Sequence, residues 1–141
     1  MFQRTLSALT RPSRALAVAA TAAAALLAVS SPAAAVVTPS ATYADCPASN
    51  VCFYTGSGGS GNMCKWSNAD PDWTSGTDRC SWARTAPARS VYNRGTSTSY
   101  TAVAFYTGTY YTGYNGCMGQ GWQGNIGPAY LLSHRWITSA C

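Results

Sequence analysis

The chain has 141 residues, with nine Lys and Arg against four Asp, no Glu, one His, six Cys, five Trp and nine Tyr. So few titratable groups argue against the converging acids and bases that an enzyme needs, and basic residues scattered singly argue against a nucleic-acid surface. Three of the basic residues behind the formal charge of +5, Arg4, Arg11 and Arg14, sit at the N-terminus, and without them the balance is +2.

Residues 1–35 read as a secretory signal peptide. Arg4, Arg11 and Arg14 precede an apolar run from Ala15 to Val29, and Ala33, Ala34 and Ala35 supply the small residues a signal peptidase accepts. The apolar run is too short and too Ala-rich for a membrane span, so the mature chain is expected to be secreted, extracellular and free of the membrane. A short extension, 36–45, then leads into one domain, 46–141, in a mature chain of 106 residues.

All six cysteines, Cys46, Cys52, Cys64, Cys80, Cys117 and Cys141, follow the leader. An even count in an exported chain predicts three disulfides, which 15 pairings could satisfy. Without a C-x2-C pair, and with His134 as the single histidine, the sequence predicts no metal site and no cofactor.

In chain order the strand candidates are 51–55, 62–66, 90–93, 102–107, 117–119 and 130–136, separated by Gly- and Pro-containing stretches, with long loops at 68–77 and 119–128. A composition of Gly, Ser, Thr, Tyr and Trp suits short strands and tight turns, so the chain reads as an all-β sandwich or barrel. One frame is written twice, FYTGSGGSG at 53–61 and FYTGTYYTG at 105–113. Glycines that accept φ > 0 turn the chain sharply after Tyr-Thr-Gly. Each copy therefore predicts a hairpin, and two copies predict two similar units that bury their apolar faces together.

Candidate binding residues emerge from this layout. Asp70 and Asp72 flank a proline and read as turn formers or a weak ion site. Trp73 in that loop, Tyr110 and Tyr111 in the second hairpin tip, and Tyr114 and Trp122 nearby are rings that either fill a Leu-poor core or form an exposed binding face. His134, among Leu131, Leu132, Trp136 and Ile137, is expected on the polar face of the last strand. A Ser/His/Asp site could only be built around it, and no nucleophile-elbow motif accompanies it.

Tyr106-x4-Tyr111-x-Gly113 resembles the aromatic-x4-aromatic-x-Gly signature of βγ-crystallin Greek-key motifs, and Tyr54-x4-Gly59-x-Gly61 matches it except at the middle aromatic. The stretch from Asp45 to Gly56, DCPASNVCFYTG, resembles the start of peptidase inhibitor family I36, the small secreted inhibitors of the Streptomyces metalloproteinase inhibitor type. The resemblance implies a disulfide-stabilised βγ-crystallin-like sandwich of two Greek-key motifs. It also implies a monomer of actinomycete-like origin with an extracellular proteinase, metalloproteinases included, as partner. Together with the equivalent places of Cys64 and Cys117 after their frames, it implies the pairs 46–52, 64–80 and 117–141. Crystallin-like calcium ligands are missing from 85–90 and from 128–132, so no calcium site of that kind is expected.

The second half lacks the close cysteine pair that holds the family's reactive loop, which makes 67–79, between Cys64 and Cys80, the best inhibitory loop available. Two other functions fit the same scaffold. One is a glycan- or cell-wall-binding module using Tyr110, Tyr111, Tyr114 and Trp122; the other is a small crystallin-like toxin.

Overall fold

Alternation of apolar and small residues makes Asn50–Tyr54 (β1, NVCFY) and Ala102–Tyr106 (β4, AVAFY) near copies of one strand, each running into its copy of the hairpin frame. The structure, a computed structural model, describes residues 40–141; the expected signal peptide, 1–35, lies outside the described residues. The remaining strands are β2 (Met63–Trp66), β3 (Ala88–Arg94), β5 (Tyr114–Gly119), β6 (Gln123–Ala129) and β7 (Ser133–Ile137). They form two antiparallel sheets, one ordered β2-β1-β3-β6 and the other β5-β4-β7.

The order contains an exchange. β6 comes after β5 in the chain but pairs with β3 in the first sheet, while Asp70, from the first half, bridges His134 of β7 in the second. Each half thus lends a segment to the other sheet.

Between the sheets Val51, Phe53, Val91, Val103, Phe105 and Leu131 meet Trp66 and Trp73 in one buried cluster. Trp66 and Trp73 stack at 4.4 Å, and Phe53 reaches Phe105 across the sheets at 5.5 Å. Aromatic rings supply the buried area that a sequence poor in Leu and Ile would otherwise lack.

β1 is buried on its outer face as well. Cys46, Cys52 and Tyr54 form a second cluster there, covered by Ala41 and Tyr43, so the expected extension is packed onto the sandwich from Ala41 onward. Burial, with Tyr43, Asp45 and Tyr92 nearby, pushes the Tyr54 hydroxyl up to about 12. The cysteines pair as Cys46–Cys52, Cys64–Cys80 and Cys117–Cys141.

The expected loop at 119–128 is not one. The chain turns at 119–122, where the Trp122 N–H donates to the Gly119 carbonyl and Gly121 has φ +82°, and β6 begins at Gln123. Two glycines and Pro128 hide this strand from propensity. Pro128 is tolerated because β6 is an edge strand, where a missing N–H breaks no ladder.

Candidate functional site

The segment 67–79 leaves β2 just after Cys64 and returns at Cys80, so a disulfide closes its ends. Trp73 divides it. Of the two places open to this ring, core or exposed binding face, it takes the core, which removes it from the candidate binding residues: Trp73 is fully buried. Its N–H donates to the Leu132 carbonyl at 2.9 Å, its carbonyl accepts from the Cys80 N–H at 2.8 Å, and its indole N–H donates to Nδ1 of His134 at 2.8 Å. An indole in a small domain excludes so much water when buried that the loop folds inward around it.

His134 is the second correction. It is buried, not on the polar face of β7. Accepting at Nδ1 leaves the proton on Nε2, which donates to the Asn68 carbonyl at 3.0 Å. Burial lowers its pKa to about 4, against the opposing pull of that carbonyl, so the ring is neutral. Both nitrogens are occupied in structural bonds, and neither is available as a general base.

The aspartates close turns. The Asp72 N–H donates to the Asp70 carboxylate at 2.8 Å, and Asp72 in turn accepts from the Thr74 hydroxyl and N–H at 2.7 and 2.9 Å. These two bonds, the hydroxyl first, hold the Asp72 carboxyl below the usual range. Asp70 also exchanges backbone hydrogen bonds with His134, both at 3.0 Å. Among the described residues no three His, Cys, Asp or Glu side chains converge as metal ligands.

Beyond Trp73 the loop presents a short exposed tip. Ser75, Gly76, Thr77, Asp78 and Arg79 are all exposed, between Trp73 and Cys80, which are both buried. Gly76 turns the tip with φ +77°, a conformation that favours glycine. The Asp78 carbonyl accepts from the Trp66 indole N–H at 3.0 Å, so the tip is tied to the core at a third point.

Beside this loop stands the second hairpin tip, Thr109–Tyr111. The Tyr110 N–H donates to the Pro71 carbonyl at 2.7 Å. Tyr111 is half-buried, 5.8 Å from Tyr106, with the Arg135 guanidinium 5.5 Å from its ring centroid. Tyr114 packs edge-on against Tyr106 at 5.9 Å. Trp122 does not join them. It lies against Gly119, at the opposite end of β5 from Tyr114, about 17 Å away at the usual strand rise.

The model of peptidase inhibitor family I36 matches residues 39–118, more than half of the chain. The chain belongs to peptidase inhibitor family I36. No curated protein matches it. The I36 match contains the pinned loop and the tyrosine-bearing tip, while the residues that clamp them from beyond it, Leu132, Ser133 and His134, lie after Met118. I36 is a family of peptidase inhibitors and not of catalysts, in keeping with the structural use of His134. Sequence reasoning placed the loop but missed its anchor. The signal lay in Trp66 and Trp73, whose spacing on either side of a turn-rich stretch allows both rings to reach one core.

Proposed function

We propose that the chain is a secreted, monomeric inhibitor that presents the tip 75–79 to the cleft of an extracellular proteinase, metalloproteinases first. The carrying observation is the five exposed residues held between buried Trp73 and Cys80, with their ends joined by a backbone hydrogen bond and closed by the Cys64–Cys80 disulfide. A loop already in one conformation loses little entropy when bound, so more of its contact energy becomes affinity. A substrate loop in the same cleft would have to be ordered first.

The tip carries two charged side chains, Asp78 and Arg79. A metalloproteinase would engage the Asp78 carboxylate, an oxygen donor of the kind zinc accepts. A serine proteinase with an acidic specificity pocket would engage Arg79. Titration of the secreted, oxidised protein against both classes tests the reading. Inhibition lost on reduction and alkylation supports it, and loss in Asp78→Asn or in Arg79→Ala identifies the class. Absence of inhibition in a folded sample overturns it. The mass of the secreted chain reports whether the leader is removed after Ala35.

One observation favours a second reading, a glycan-binding module. An uncharged groove of about 360 Å³ is lined by Ser49, Ser67, Asn68, Thr96, Tyr100 and Trp136 among others, and hydroxyls beside ring faces suit neutral sugars. Titration with soluble chitin and cellulose oligosaccharides, read by tryptophan fluorescence, tests it; no change at millimolar sugar removes it.

A further inference from the structure

The two hairpin corners are built alike, which makes each a control for the other. In the first, the Gly58 N–H donates to the Asn125 side chain at 2.7 Å and the Gly59 N–H to the Ser90 hydroxyl at 2.9 Å, while Ser90 donates to the Gly56 carbonyl at 2.7 Å. In the second, the Tyr110 N–H donates to the Pro71 carbonyl at 2.7 Å and the Tyr111 N–H to the Ser133 hydroxyl at 3.1 Å, and Ser133 donates to the Gly108 carbonyl at 2.6 Å. The backbones match too: φ is +65° and +78° at Gly58 and Gly59, +53° and +62° at Tyr110 and Tyr111.

Glycine occupies this left-handed conformation freely, whereas a side chain with a Cβ is strained in it, and a bulky one is rarely found there. The first corner shows that glycine serves the fold. Tyr111 recovers its strain through Tyr106 and Arg135. Tyr110 recovers nothing of that kind: its side chain is 72% exposed, and among the described residues its ring has no aromatic or cationic partner. A strained, exposed, apolar ring contributes to contact with something outside the chain.

Position says what that is. Tyr110 is bonded to Pro71, and the four peptide units from Pro71 to Ser75 span at most about 15 Å. A standard interface covers about 800 Å² on each partner, a patch about 30 Å across. A patch of that size is wide enough to include both the tip 75–79 and Tyr110.

We propose that Tyr110 is a second anchor for the proteinase held by the tip 75–79, entering a mostly apolar depression beside that enzyme's cleft. The inference rests on the inhibitor reading. Tyrosine suits the role because it buries a large ring with few rotatable bonds to freeze.

The test is a set of inhibition constants and melting temperatures for the full secreted chain and for Tyr110→Gly, Tyr110→Phe and Arg79→Ala. Tyr110→Gly is expected to weaken inhibition by about tenfold or more with a melting temperature no lower than that of the parent, and Tyr110→Phe to retain most of the affinity. A structural ring would instead lower the melting temperature on replacement by glycine, and that result overturns the proposal. So does an unchanged inhibition constant for Tyr110→Gly where tip variants lose inhibition, an outcome that leaves the inhibitor reading standing. A parent chain that inhibits nothing removes both.

Discussion

His134 holds no charge at neutral pH because a buried imidazolium would lose its hydration and its acceptor role toward the Trp73 indole. The unfolded chain takes up this proton near 6.5 and the folded chain only at about 4. Stability from this group is therefore complete above 6.5, is lost as the pH falls between those values, by about 3 kcal/mol, and changes no further below them. Denaturant midpoints measured across that range should fall with pH in the parent and vary much less in His134→Gln. Trp73 itself is more costly to remove. Trp73→Ala should destabilise the domain by about 3–5 kcal/mol through the cavity it leaves, and Trp73→Phe by about 1–3 kcal/mol through the orphaned His134 nitrogen, both read from equilibrium unfolding. Both side chains were ambiguous in sequence: Trp73 lies in a stretch of turn residues, and His134 has polar neighbours, Ser133 and Arg135, on either side in β7, although Trp136, two residues on, packs against the core.

At the scale of elements, the repeated frame was legible because glycine and aromatic positions within a hairpin are local demands. Both corners form where 53–61 and 105–113 place them. β6 was not legible, since its pairing with β3 is set by tertiary contact and its glycines look like a loop. The glycines of the first corner differ among themselves. A Cβ on Gly59 would lie 2.6 Å from the Tyr43 ring, whereas one on Gly58 would meet nothing within 4 Å. Gly59→Ala should therefore cost about 2 kcal/mol or more, from strain and overpacking together, and Gly58→Asn much less, as thermal melts of the two variants would show. The Cys64–Cys80 bridge, with its sequence separation of 16, belongs to this scale as well. Replacing both residues with serine should cost about 3 kcal/mol and weaken inhibition further by loosening the tip.

The whole molecule depends on the exchange between its halves. Sequence showed two similar units and an all-β sandwich, but it held no sign that β6 would join the first sheet or that Asp70 would bridge the second, because pairing across a long separation leaves no local pattern. Alone, the first half lacks the β6 edge of its sheet, and the second half keeps β5-β4-β7 but loses the Asp70 bridge to β7. A chain cut to 40–95 should show no cooperative melt, and the full domain should unfold in one transition seen alike by far-UV and near-UV circular dichroism. The exchange also decides the fate of a molecule whose tip a target enzyme does cut. The segment before the tip is bonded to the second sheet through Leu132 and His134, and the segment after it is bonded covalently to the first through Cys80. Both new ends would be kept where they were made, one water heavier and still in register. A clipped molecule would then remain a working competitor in which the broken peptide bond can be remade, and digestion would slow this protein without using it up.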